Sequence, residues 1–185
     1  MKTLLKITAL NCLLYVPTIA QSLNGDTNFW IARGGCWWLS DSLITGRGYV
    51  ASAKLYSQKS YNDFIFEVRF AKTAESGPCS ILFHYNEEKD EGYHLMCHPY
   101  SGPALAKVMR NATSYIFPGS SVHWKLGMNK WNMVRVEATD SRYDFFINGE
   151  KIFSHTGAEY SWGKVGLIVW GDPRQAAQFR ILKLK

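Results

Sequence analysis

Residues 63–70 read DFIFEVRF. Phe64, Phe66, Val68 and Phe70 fall on one side of an extended chain, and Ile65, Glu67 and Arg69 fall on the other. Side chains alternate along a β-strand with a period of two. Apolar groups at every second position, with charge between them, mark a strand that has one face on a core and one in water. The same rhythm returns in 131–138, WNMVRVEA, where Val134, Val136 and Ala138 alternate with Met133, Arg135 and Glu137. Beyond residue 21 no stretch holds a 3.6-residue apolar rhythm for three turns, so no helix is expected.

Working outward from these two stretches, further strands are expected at 28–32, 36–39, 49–55, 79–86, 92–98, 104–110, 121–126, 142–147, 150–155, 164–170 and 176–184. Turn residues separate them. Asn148-Gly149 lies between Phe145-Phe146-Ile147 and Lys151-Ile152-Phe153. Both of its residues tolerate positive φ, which a type I′ hairpin turn requires. Gly77-Pro78, Ser101-Gly102-Pro103, Pro118-Gly119 and Gly171-Asp172-Pro173 mark loops, and 86–91, NEEKDE, is a charged turn. About a dozen short strands predict an all-β fold, a two-sheet antiparallel jelly-roll sandwich. With no internal repeat or low-complexity linker, 21–185 is expected to be one domain.

Residues 1–20 have the layout of a secretory signal peptide. Lys2 and Lys6 open it, an apolar run follows from Ile7 to Val16, and Thr18-Ile19-Ala20 offers small residues for cleavage after Ala20. The run is too short for a membrane anchor, and no other stretch approaches the ~20 apolar residues of a spanning helix. A secreted protein, extracellular or periplasmic, is therefore expected. The whole chain carries a formal charge of +6, and the leader takes two lysines and no acid with it. The remaining excess is mild and scattered, whereas nucleic-acid binders concentrate it in a stripe. Nucleic acid is not expected as a partner.

Export permits disulfides, and Cys36, Cys79 and Cys97 remain after cleavage. Pairing of Cys79 with Cys97 across consecutive strands, a pair involving Cys36, and three buried thiols all stay open. There is no CxxC for a zinc ribbon. His94 and His98 share a strand face but stand about 13 Å apart, too far for one metal ion. No cofactor is expected. A structural calcium site of loop oxygens near Asp172 or Asp90 is left open. Asn111-Ala112-Thr113 is an N-glycosylation sequon, of consequence only in a eukaryotic secretory route.

Aromatic residues make up 15% of the chain, with seven tryptophans, of which about half are expected in the core. A flat ring can stack on the apolar C–H face of a sugar while polar neighbours read its hydroxyls. Trp170 falls out of phase with Val165, Leu167 and Val169, which turns it to the opposite face beside a loop. Glu67 and Arg69, then His84, then His94, Met96 and His98 are the outward sets of successive expected strands, and Lys107 or Arg110 extends that patch. Tyr93 belongs to the other set of its strand, with Leu95 and Cys97. For acid/base chemistry, Glu67 with His84 is the best pair. No run of alternating acids, nucleophile elbow or HExxH occurs.

Several segments carry a family resemblance. They are Trp38-Leu39-Ser40-Asp41 with Leu43-Ile44-Thr45-Gly46, then Tyr61-Asn62-Asp63-Phe64 leading to Glu67-Val68-Arg69-Phe70, then Ser80-Ile81-Leu82-Phe83-His84 and Gly92-Tyr93-His94-Leu95. Trp131-Asn132-Met133-Val134-Arg135-Val136, Phe145-Phe146-Ile147-Asn148-Gly149, Gly163-Lys164-Val165-Gly166-Leu167 and Phe179-Arg180-Ile181 complete the series. In this order they resemble the concanavalin A-like lectin/glucanase superfamily, and more narrowly the secreted 3-keto-disaccharide hydrolase-type and laminin-G-like domains. The resemblance implies two antiparallel sheets, one convex and one concave.

Together these readings predict a secreted, lectin-like carbohydrate-binding domain that holds a glycan on the concave sheet. Trp170, Tyr93 and His94 would stack on or cradle the sugar, Arg69, Glu67 and His84 would read its hydroxyls, and Arg110 would extend the ligand-binding patch. A small glycoside hydrolase or lyase using Glu67 and His84, and a laminin-G-like protein–protein adhesion module, are the alternatives.

Overall fold

The computed structural model describes residues 29–40, 43–49, 52–72, 79–98, 102–110, 112–117, 129–157, 159–170 and 176–185. The expected signal peptide, strand 121–126, Asn111 of the sequon and Asp172 lie outside them. Every regular element among the described residues is a β-strand, and the strands, numbered in chain order, form two antiparallel sheets. The first sheet runs β1 (Trp30–Arg33), β4 (Ala53–Tyr61), β13 (Gly163–Val169), β6 (Cys79–Asn86), β7 (Glu91–His98), β8 (Gly102–Met109) and β9 (Ala112–Phe117). The second runs β12 (Glu150–Thr156), β11 (Arg142–Ile147), β10 (Asn132–Thr139), β5 (Phe64–Lys72), β14 (Ala176–Leu184), β3 (Leu43–Arg47) and β2 (Cys36–Ser40).

The alternation read from the sequence sets which side chains meet between the sheets. Phe64, Phe66, Val68 and Phe70 of β5 pack with Val134, Val136 and Ala138 of β10. Ile81, Phe83, Tyr93, Leu95, Val165 and Leu167 come down from the first sheet onto the same core. The β11–β12 hairpin closes at Asn148-Gly149 with both residues at positive φ, 48° and 88°, as its sequence predicts. Three strands differ most from the expectation. β4 starts later and runs to Tyr61. β3 and β9 are added strands, and β9, at the sheet edge, mixes exposed and half-buried residues without an apolar alternation.

The largest departure is a change of sheet. Strands adjacent in sequence are usually neighbours in a sheet, and that rule places β5 beside β6. Here the chain leaves the second sheet after Lys72 and enters the first at Cys79. β6 pairs instead with β13 and β7. Glu67 and Arg69 thereby stand on the outer face of the second sheet, while His84 belongs to the first.

A second departure is local. In β6 the register shifts between Phe83 and Asn86, and His84 adopts φ 45°. Such a bulge inserts a residue and reverses the alternation beyond it. Phe83 and His84 therefore both turn inward, and Tyr85 turns out. The neighbouring strands make room with glycine. A Cβ on Gly163 would lie 2.4 Å from the His84 carbonyl carbon, and one on Gly92 would lie 2.8 Å from the Tyr85 Cα. His84 is 2% exposed and wedged among Phe64, Phe83 and Tyr143. Its Nε2 lies 2.8 Å from the Asn62 carbonyl and its Nδ1 2.8 Å from the Tyr160 carbonyl. The imidazole ties the β4–β5 turn to the segment before β13. The expected placement of His84 on an open sheet face is thus corrected.

Candidate functional site

With the bulge in place, the outer face of the first sheet gathers side chains from five elements. Arg33 comes from β1, Lys54 and Tyr56 from β4, Ser80, Leu82 and Tyr85 from β6, and His94 from β7. Ile168 and Trp170 come from β13 and the residue after it. Leu82, Tyr56, Tyr85, Val108 and Ile168 form an apolar floor, flanked by Ile31 and Trp170. The alternation that buries Ala53 and Leu55 in the core turns Lys54 and Tyr56 out onto this floor.

At one end of the floor stands a polar cluster centred on Asp90. This residue closes the β6–β7 turn with φ 58°, a left-handed conformation that aspartate tolerates better than most residues. Its carboxylate accepts the Tyr85 hydroxyl at 2.7 Å and pairs with the Lys54 ammonium. Arg33 donates to the Glu87 carbonyl at 2.9 Å, and its Nη1 is 3.5 Å from the Tyr85 oxygen. Lys164 reaches Glu87 at 3.1 Å. Burial raises the Asp90 pKa, but hydrogen bonds from Lys54 and Tyr85 and the nearby cations outweigh it, so the carboxylate stays ionised below its ordinary range. Burial, and next a hydrogen bond with Glu87, pushes Tyr56 up to about 12. Burial and the Asp90 partner raise Tyr85 as well. Both phenols are therefore neutral hydroxyls at physiological pH.

At the centre of the floor lies His94, with no exposed surface. It stands in register between Leu82 and Ala106 and under Trp170, whose ring centroid is 5.6 Å away. Neither ring nitrogen has a hydrogen-bond partner among the described residues. Burial, with a smaller contribution from the Lys54 charge, lowers its pKa to about 3. It is a neutral imidazole with one unused N–H and one unused lone pair. Trp170 is half-buried, and its indole N–H donates to the Ser80 hydroxyl at 3.3 Å. Arg110 stands at the rim, 3.5 Å from the Glu88 carbonyl.

Of the residues singled out from sequence, the structure brings His94, Trp170 and Arg110 to this face. It sends Tyr93 to the core, 1% exposed and stacked on Phe83 at 5.4 Å. The period of two forbids neighbours in a strand from sharing a face, so Tyr93 cannot cradle a ligand beside His94. Lys107 points the same way as Tyr93, to the sheet margin, where it pairs with Glu159. Glu67 lies on the outer face of the second sheet, 3.8 Å from Arg135, with Arg69 on the same face. Neither can act with His84. Sequence reasoning missed Arg33, Lys54, Tyr56, Ser80 and Tyr85, and left Asp90 as a turn acid. The signal for Lys54 and Tyr56 was present in their alternation with Ala53 and Leu55.

Cys36, Cys79 and Cys97 are buried thiols, with Cys79 directly opposite Cys97. Among the described residues no cluster of three metal-ligating side chains occurs, and no helix is long and apolar enough to cross a membrane.

Residues 20–185 match the family model described as the 3-keto-alpha-glucoside-1,2-lyase-like domain. No curated protein matches. Among solved structures, the chain is similar to the carbohydrate binding module CBM66 from Bacillus subtilis. The TM-score is 0.73 at 20% identity, covering 82% of this chain and 92% of that one. A galectin-like protein of unknown function from Bacillus subtilis follows at TM-score 0.59 and 16% identity, covering 82% and 86%. The Bacillus licheniformis beta-glucanase gives 0.57 at 11% identity, covering 85% and 94%. These likenesses show the fold, a concanavalin A-like sandwich, as the strand series implies.

Proposed function

The chain belongs to the family of the 3-keto-alpha-glucoside-1,2-lyase-like domain, and from that premise we propose that the outer face of its first sheet binds a carbohydrate. The observation that carries the reading is the pairing of two features on one floor. A fixed array of charged and hydroxyl groups around Asp90 adjoins an indole and a buried imidazole with two unused nitrogens. An ionised carboxylate, two neutral phenols and cationic side chains offer both acceptors and donors to a sugar's hydroxyls. Trp170 supplies the flat apolar surface. The likeness to the Bacillus subtilis protein, a carbohydrate binding module, supports the same reading. The domain acts outside the cytoplasm, after removal of residues 1–20.

The test is binding of the 21–185 protein to a broad glycan array, with calcium and with chelator. Selective binding of uncharged glycans that is lost in Trp170→Ala and in Asp90→Asn, and retained in Arg69→Ala on the other sheet, is the expected result. Binding that survives both first-sheet changes places the site elsewhere. No binding to any glycan overturns the reading.

Elimination at a keto-sugar, as the family description implies, is a second reading. It is favoured by His94, whose ring nitrogens have no hydrogen-bond partner among the described residues. Turnover of a 3-keto-glucoside that disappears in His94→Leu would support it, and unchanged turnover would exclude His94 as the base.

A further inference from the structure

The outer face of the second sheet has a different chemistry. Trp38 of β2, Thr45 of β3, Gln178 of β14 and Ala71 of β5 stand side by side in register across four strands. One row along, Arg69 and Arg180 face each other directly on β5 and β14. Trp131, just before β10, leans back across β5, so that the Arg180 guanidinium lies 5.1 Å from its ring centroid. Trp38 and Trp131 are 39% and 40% exposed, and both arginines are exposed.

None of this is needed by the core. Trp37, not Trp38, fills the space between the sheets. Like charges directly opposite in a sheet repel, and neither Arg69 nor Arg180 has an ion-pair partner among the described residues. The acid nearest in sequence on that face, Glu67, sits 3.8 Å from Arg135 and opposite Lys183. Two arginines without an ion-pair partner among the described residues thus stand at directly opposed positions, with a flat ring beside one of them. The row from Trp131 toward Trp38 is uncharged and can hydrogen-bond through Gln178 and Thr45.

The geometry points to a second binding surface here, for an acidic polysaccharide. A carboxylate or sulfate on the chain accepts from both Arg69 and Arg180. The sugar bearing it, or its neighbour, stacks on Trp131. Two strand spacings, about 10 Å, separate β14 from β2, so the chain continues past Gln178 and Thr45 to Trp38. A single sugar ring cannot cover that span. This surface is separated from the Asp90 face by the core and stands independently of it.

The test uses affinity electrophoresis of the 21–185 protein in gels containing polygalacturonate, dextran sulfate or neutral dextran. Retardation by one or both acidic polymers and not by dextran is expected, and the stronger of the two identifies the anion. Arg69→Gln/Arg180→Gln should weaken it by at least about tenfold. Trp131→Ala should weaken it by about three- to tenfold. A charge control, Lys59→Gln/Lys89→Gln, should leave it unchanged, and unfolding midpoints should confirm that each variant is folded. Equal losses in the control and the arginine variant would reduce the effect to net charge and overturn the proposal. So would retention undiminished in Trp131→Ala, no retention by either acidic polymer, or tighter binding of single-stranded nucleic acid than of both.

Discussion

His94→Leu should make the protein more stable while removing a functional group. The imidazole has no exposed surface and neither nitrogen is hydrogen-bonded among the described residues. Leaving a buried polar group unsatisfied costs about 1–3 kcal/mol. Leucine is of similar size and would pack against Leu82, Ala106 and Trp170. At pH 7.5 the variant should therefore gain roughly 1 kcal/mol, allowing for imperfect fit. The gain should widen in acid. The imidazole has a pKa of about 3 in the folded protein and ~6.5 in the unfolded chain. Between those values the unfolded chain binds a proton that the folded protein does not, so wild-type stability falls as pH drops below the unfolded pKa. From pH 7.5 to pH 5 this amounts to about 2 kcal/mol that the leucine variant does not lose. Urea unfolding of both proteins at the two pH values measures it. The difference in midpoint between variant and wild type should grow by roughly 1 M for a slope of about 2 kcal/mol per M. A variant less stable at pH 7.5, with a gap that does not widen at pH 5, would refute the reasoning. It would mean that the ring nitrogens are satisfied and that the imidazole titrates as it would in water.

Asp90→Asn should destabilise by about 1–3 kcal/mol at neutral pH, because it leaves the Lys54 ammonium, whose side chain is 8% exposed, without its carboxylate. Asp90 itself is 22% exposed, so solvent screening keeps the loss toward the lower end. The double variant Lys54→Met/Asp90→Asn should recover most of it, and additive losses in a double-mutant cycle would argue against the pair. Because the folded Asp90 pKa is depressed, its contribution is full above the unfolded value of ~3.9 and fades as pH falls through the folded one. Asp90→Asn should therefore flatten the acid limb of the stability curve. Gly166→Ala would place a Cβ 2.2 Å from the Leu55 carbonyl oxygen and 2.8 Å from the Tyr56 Cα, both backbone atoms of β4. It should cost about 1–3 kcal/mol or more, and an unchanged melting midpoint would show that the strands can part freely. Burial pushes the Cys79 thiol up to about 12 and Cys97 well up. Neither should react with iodoacetamide at pH 8 until the protein is unfolded. Mass spectrometry showing fast native labelling would contradict that burial.

The periodicity of the chain was enough to establish the all-β class, the two-sided strands and the Asn148-Gly149 hairpin. Each depends on residues close in sequence, and side-chain alternation is a local property of extended backbone. The same property correctly turned Trp170 away from Val165, Leu167 and Val169, and separated His94 from Tyr93. The turn of Lys54 and Tyr56 away from the core was legible too, once Ala53 and Leu55 were seen to be its buried partners.

Which sheet a strand joins is decided elsewhere. DFIFEVRF fixes which side of β5 is wet, but not which strand lies next to it. Only the crossing after Lys72 puts Glu67 and Arg69 on one surface of the molecule and the first-sheet residues on another. The β6 bulge is equally hidden, because an inserted residue reverses the alternation without changing composition. It sends His84 into the core and delivers Tyr85 to Asp90. The Lys54–Asp90 pair joins residues 36 apart in sequence, and Arg69 meets Arg180 across far more of the chain. Strand faces follow from bonds along the chain. Binding surfaces follow from hydrogen bonds between strands, whose partners are chosen by the packing of the whole core.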